Sequence, residues 1–287
     1  MTLRTRLSES DILLAPGIYD PLTAAIAEAA GFEALYLSGA AVSYTRLGRP
    51  DIGLATLSEM TETMALVRDR VKLPIIIDAD TGFGSALSAQ RTMRMYERAG
   101  ANALQVEDQT FPKRCGHLLN KTLISASEMA GKISAMIEAR ASDETLVIAR
   151  TDAISVEGFG AAIKRAETYL AAGADALFIE APRDRLELIE ISQHFKGRVP
   201  LMVNMVEGGT TPITCASDLE SLGFDLVIFP GGIVRALAKT AQAYYANLKQ
   251  NGSNQGFSDQ MLDFQGLNTL IGTEALLTDG ARFEDKK

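Results

Sequence analysis

The sequence predicts a single (β/α)8 barrel, and three observations carry that expectation. Four segments repeat one rhythm: EAAGFEALYLSG (28–39), ERAGANALQVED (97–108), AAGADALFIEAP (171–182) and SLGFDLVIFPGG (221–232). Each reads as a helix end, a glycine stop, then an apolar run suited to a strand buried on both faces. With the further runs of this kind, eight strands alternate with helical patterns over about 250 residues, the span of one such barrel. No glycine-rich dinucleotide fingerprint follows a strand, which sets aside the competing doubly wound open sheet.

In chain order, the strands are LLAPG (13–17), the run ending at 39, PIIIDAD (74–80), the run ending at 108, LVIARTD (146–152), the run ending at 182, PLMVNM (200–205) and the run ending at 232. Between them TLSEMTETMALVRDRV, SAQRTMRMYERAG, SASEMAGKISAMIEAR and GAAIKRAETYLAAG repeat at helical spacing, with Ser or Thr near several starts as caps. The barrel is expected over residues 1–250. Asn251 to Gly256 reads as a hinge, and the amphipathic FSDQMLDFQGLNTLIGTEAL follows it. Residues 251–287 are thus expected to add C-terminal helices, packed on their own barrel or on a neighbouring subunit.

Of 287 residues, 47% are hydrophobic and 22% charged, as in a globular protein. No apolar run approaches the roughly 20 residues that span a bilayer, and the opening MTLRTRLSESD lacks the hydrophobic stretch of a secretory signal. Two cysteines cannot make a disulfide framework, which fits a cytoplasmic location. A net charge of −8 argues against nucleic acid as a partner. Local cations or a metal can still make an anion site in such a chain.

Chemistry in such barrels sits at the C-terminal ends of the strands. There this sequence places Ser38-Gly39, Asp78 and Asp80, Glu107 and Asp108, Arg150 and Asp152, Glu180, and Asn204. An unpaired buried charge costs several kcal/mol, so a ring of them needs a shared partner. Asp78, Asp80 and Glu107 offer only hard oxygen ligands, which suits Mg2+, with Mn2+ as a substitute, rather than zinc. Asp78 and Asp80, two apart on a segment read as extended, are expected to point to one side. Arg150 supplies a bidentate fork for a substrate carboxylate.

The stretch KRCGH (113–117) follows the fourth strand and is expected to hang over the same mouth. Lys113, Arg114 and His117 would lower the pKa of Cys115, and Gly116 leaves room for a ligand at the backbone. A thiol on a closing loop can serve as nucleophile or as general acid. Cys215 lacks such company and reads as inert, and His194 reads as a surface residue on an outer helix.

YLSGA, DADTGFG, VEDQ with PKRCGH, ARTDA with EG, and NMVEGG with TP together resemble, in that order, the isocitrate lyase and phosphoenolpyruvate mutase superfamily. The resemblance covers about residues 10 to 245 and implies a Mg2+-dependent barrel enzyme acting on small 2-keto or 2-hydroxy acids. It also implies a homotetramer that exchanges a C-terminal helix. The KRCGH loop looks like that of the carbon–carbon lyases in the methylisocitrate and dimethylmalate lyase branch. Carried over by motif, Ser38, Gly39 and Ala40 cradle the keto-acid carboxylate, with Asp51 nearby. Asp78, Asp80 and Glu107 hold the metal, and Arg150 and Gly116 meet the substrate. Glu180, Asn204 and Arg235 contact its other half, and Tyr36 lies beside the reacting carbon. The resemblance thus implies retro-aldol cleavage of a 2-hydroxy acid, with Cys115 as general acid.

Two departures from the branch bear on the substrate. Methylisocitrate lyases read Ser-Gly-Gly where this chain has Ser38-Gly39-Ala40, and carry a threonine where it has Val206. The missing hydroxyl favours substituted malates over a tricarboxylate. Oxaloacetate acetylhydrolases keep a similar lid but have a serine near the last strand, where this chain reads Phe229-Pro230-Gly231. Oxaloacetate decarboxylases and phosphonomutases generally lack the lid cysteine.

Overall fold

A computed structural model describes residues 1–116, 120–212 and 214–283. Eight parallel strands close into a barrel in sequence order. They are β1 (Leu13–Ile18), β2 (Leu35–Leu37), β3 (Ile75–Asp78), β4 (Ala103–Glu107), β5 (Leu146–Thr151), β6 (Ala176–Ile179), β7 (Leu201–Asn204) and β8 (Leu226–Phe229). The ring closes where Leu13, Leu14, Ala15 and Pro16 pair with Leu226 to Phe229. The (β/α)8 expectation is borne out.

Alternation along each strand decides what fills the barrel. Leu13 and Ala15, Ile76, Ala103, Leu146 and Ile148, Ala176 and Phe178, Met202, Leu226 and Ile228 form one buried cluster. The strands' other residues face the surrounding helices. Those helices bury residues at helical spacing: Met60, Met64 and Val67 from Leu57–Arg70, and Met129, Ile133 and Met136 from Ala126–Ala139. Their starts are fixed by side chains. Asp20 and Thr23 cap Pro21–Ala29 reciprocally, as Thr56 and Glu59 cap Leu57–Arg70.

The N-terminal end of the barrel is stoppered. The helix Leu3–Arg6 places Leu3 and Leu7 in the interior cluster, 1% and 5% exposed. Arg4 ties this helix to Asp175 at 2.7 Å, and Arg6 ties it to Glu33 at 3.0 Å. At the other end Gly17 meets the last strand so closely that a Cβ would overlap the Pro230 carbonyl.

By its contacts the chain forms two compact units, Met1–Ile233 and Val234–Lys287. The second comprises most of the helix Gly232–Asn251, a 3-10 turn at Gln255–Gln260, and the helices Phe264–Ile271 and Thr273–Ala281. Within it Phe257 packs edge-on against Tyr244, while Phe264, Leu276, Leu277 and Phe283 stand exposed.

Candidate active site

The period that fills the barrel continues to its C-terminal mouth. Two residues beyond an inward-facing apolar side chain stand Ser38 after Tyr36, Asp78 after Ile76, Gln105 after Ala103, Arg150 after Ile148, Glu180 after Phe178 and Asn204 after Met202, with Glu107 two further on from Gln105. All are buried. Ser38 also caps the short helix Gly39–Val42 through the Ala41 amide.

Asp80 departs from the sequence expectation. β3 ends at Asp78, and Asp80 has a left-handed backbone, φ 46°, so the two are not successive residues of one extended face. The turn is held by the Asp80 amide, which donates to Asp78 Oδ1 at 3.1 Å.

Opposite charges are paired across the mouth. Arg150 donates from Nε and Nη2 to the two Asp152 oxygens at 2.9 and 3.1 Å, and its Nε lies 3.3 Å from Glu107 Oε2. Its guanidinium stacks 5.2 Å from the centre of the Phe178 ring. Lys113 bridges Asp51 and Asp80, at 2.6 Å from each. Burial pushes Asp80 up to about 7, against the pull of the Lys113 ammonium. Burial likewise raises Glu107 well above the usual carboxylate range, though Arg150 opposes it. Burial works against charge on Asp152 too, yet Arg150 and Lys121 hold it low. Tyr36 is pushed up by burial and donates to Gln105 Oε1 at 2.6 Å.

The lid hangs on a short stem. Gln109 bridges Leu123 antiparallel, and the Thr110 amide donates to Thr122 O at 2.8 Å. The Gln109 amide grips Arg114 through both its backbone N–H and its carbonyl, at 2.9 and 2.8 Å. The Cys115 amide donates to Asp51 O at 3.2 Å, and Lys121 Nζ donates to Gly116 O and, at 2.7 Å, to Asp152 Oδ1. Gly116 rests directly on the charged ring, where a Cβ would collide with Arg150 Nη2 and lie 2.9 Å from Glu180 Oε1.

The structure thus brings together Tyr36, Ser38, Gly39, Asp51, Asp78, Asp80, Glu107, Cys115, Gly116, Arg150, Glu180 and Asn204 around one mouth. Cys115 is half-buried there, whereas Arg114 is exposed. His117 lies outside the described residues, and Arg235 belongs to the second compact unit. Cys215 is exposed, and His194 pairs with Glu167 on the surface. Sequence reasoning missed Gln105, which the inward alternation marks, and Lys121, which no pattern marks.

The residues fit a hard cation held largely through water. Glu107 Oε1 and Asn204 Oδ1 are buried with no hydrogen-bond partner among the described residues, which the waters of a hydrated ion or a substrate hydroxyl would supply. Also among the described residues, no three His, Cys, Asp or Glu side chains stand close enough to clasp a metal directly. Mg2+ ordinarily keeps several waters and needs only one or two carboxylates.

A barrel plugged at its floor, with a charged mouth beneath a thiol-bearing loop, carries the groups that hold a small anion. The phosphoenolpyruvate phosphomutase family matches residues 3–249. The 2-methylisocitrate lyase of Aeropyrum pernix is 43% identical over 272 residues, covering 95% of this chain and 87% of that protein. The 2,3-dimethylmalate lyase of Eubacterium barkeri is 38% identical over 274 residues, covering 96% and 94%. A crystal structure of 2,3-dimethylmalate lyase superposes with a TM-score of 0.92 at 33% identity, covering 98% of this chain and 93% of that one. Phosphonopyruvate hydrolase, solved with oxalate and Mg2+, superposes at 0.89 with 31% identity, covering 99% of each. The chain belongs to the phosphoenolpyruvate mutase and isocitrate lyase superfamily, and the carbon–carbon lyase class read from its motifs is borne out by these relatives.

Proposed function

We propose that this protein is a Mg2+-dependent lyase that cleaves a 2-hydroxy acid of the 2,3-dimethylmalate or 2-methylisocitrate type into pyruvate and a second carboxylic acid. The observation that carries this reading is the lid seated over the charged ring, with Cys115 beside Asp51 and Gly116 on Arg150 and Glu180. Val206 and Ala40 favour the substituted malate.

Asp78, Asp80 and Glu107 would hold Mg2+ through its waters, and the ion would supply Lewis-acid chemistry at the substrate hydroxyl. With Asp152 filling its Nε–Nη2 edge, Arg150 offers its Nη1 hydrogens to the carboxylate beside that hydroxyl, which Ser38, Gly39 and Ala40 also cradle. Glu180 and Asn204 orient the other half. As the hydroxyl proton passes to a carboxylate of the mouth, its oxygen becomes the ketone and the neighbouring carbon–carbon bond breaks. The electron pair stays on the carbon next to the second carboxylate. The Cys115 thiol gives its proton to that carbon, assisted by Arg114 and His117, and Tyr36 borders the reacting centre. The preorganised charges provide the main stabilisation, because they need not reorganise as charge develops.

The test is proton NMR of the protein with 2,3-dimethylmalate, 2-methylisocitrate, isocitrate, oxaloacetate and phosphonopyruvate, with Mg2+ and after chelation. Pyruvate should appear from one of the first two and vanish on chelation. Cys115→Ser should slow its formation by roughly 10²- to 10⁴-fold. Turnover of oxaloacetate or phosphonopyruvate that survives the substitution would move the protein to the acetylhydrolase, decarboxylase or phosphonomutase branches.

The exposed Phe264, Leu276, Leu277 and Phe283 favour a homotetramer with helix exchange, which light scattering would refute by finding a monomer. The described residues contain no helix long and apolar enough to cross a membrane. We place the enzyme in the cytoplasm, and recovery only in a membrane fraction would overturn that.

A further inference from the structure

We propose that Lys121 and Asp152 form a clasp that couples lid closure to the seating of Arg150, which makes both of them positioning residues. The ammonium and the carboxylate are 2.7 Å apart, with side chains 2% and 0% exposed. Lys121 Nζ also donates to Gly116 O, so one buried cation joins the lid to the end of β5. Asp152 gives its two oxygens to Nε and Nη2 of Arg150 as well, sharing Oδ1 between Arg150 and Lys121.

Asp152 is itself fixed from behind. Its backbone N–H donates to Asp108 Oδ1 at 3.0 Å, and Asp108 Oδ2 accepts from Thr151 Oγ1 and Tyr169 OH, each at 2.7 Å. Arg165 lies 3.3 Å from the same oxygen. Asp152 is therefore a fixed post: Arg150 hangs on both of its oxygens, and Lys121 fastens the lid to the shared Oδ1. When the lid lifts, Lys121 leaves and Asp152 keeps a single cation. When it closes, the Asp152 charge is matched from two sides and the Arg150 fork is held against one rigid partner. A misplacement of about 1 Å at such a group can cost about 10²-fold in rate.

The Arg114–Cys115 peptide bond reports the lid without any substrate. Arg114 O is held by Gln109 and the Cys115 amide by Asp51, so trypsin can cut after Arg114 only when the lid has let go. Full-length wild type, Lys121→Met, Lys121→Arg and Asp152→Asn would be digested under native conditions and the first cuts identified by mass spectrometry. Lys121→Met and Asp152→Asn should be cut at this bond roughly tenfold faster than wild type, with cutting after Lys249 unchanged. Lys121→Arg, which keeps the cation, should stay close to wild type. With the substrate found in the NMR screen, Lys121→Met should lose about 10²-fold in kcat/KM, and Lys121→Arg should recover most of it.

Equal cutting of Lys121→Met and wild type, with undiminished kcat/KM, would overturn the clasp. If Lys121→Met does not fold, Asp152→Asn and Lys121→Arg carry the comparison. The activity arm rests on the lyase reading and the proteolysis arm does not. Should wild type turn over none of the acids while the cutting rates separate as expected, the lyase reading fails and the clasp stands.

Discussion

Gly116 meets a tight steric demand at the mouth, because its missing Cβ is what lets the lid backbone reach the Arg150 guanidinium and the Glu180 carboxylate. Gly116→Ala should therefore act on the closed site rather than on the fold. The expected loss is about 10²-fold in kcat/KM, with thermal unfolding unchanged; a variant as active as wild type would show that the lid does not close this far during turnover. Much of this ring was legible in the sequence because period-two alternation carries the charged Asp78, Glu107, Arg150 and Glu180, and the neutral Asn204, inward on the strands that bury Ile76, Ala103, Ile148, Phe178 and Met202. Gln105 obeys the same alternation but bears no charge to draw notice. The placement of Lys121 depends on the Gln109–Leu123 stem folding the chain back on itself, a contact that no local spacing encodes.

At the scale of elements, the helix Leu3–Arg6 stabilises far more than its four residues suggest. Leu3 fills the barrel floor at 1% exposure, and Leu3→Ala should leave a cavity costing about 2–5 kcal/mol. Urea unfolding followed by circular dichroism measures this, and a loss below ~1 kcal/mol would mean that the floor is not a closed core. The strands were readable as apolar runs bounded by glycine, and the outer helices by their spacing and caps. This helix was not, since one turn is too short to display a period. Asp80 failed the extended expectation because the chain leaves the regular ladder after Asp78: the Glu107 amide still bonds the Asp80 carbonyl at 2.8 Å, but Asp80 turns left-handed with its own amide on the Asp78 carboxylate.

Over the whole molecule, an acidic chain gathers buried cations at one mouth. The chain carries −8 overall, yet Lys113, Lys121 and Arg150 gather at one mouth, where their mutual repulsion is offset by buried carboxylates rather than by solvent. That contrast was foreseeable from composition, whereas the pairing of each cation was not. The stoppered floor has a kinetic consequence as well. Because the interior below the charged ring is packed with side chains, ligands can exchange only on the lid side, and the fragment that lies deepest departs last. On the proposed chemistry, the 2-keto acid lies at the inner end beneath the lid and the saturated acid nearer the opening. Pyruvate should then inhibit competitively against substrate and the companion acid non-competitively. The reverse pattern in initial-rate measurements would place the two halves the other way round, so the order of departure becomes a ruler for the depth at which each fragment sits.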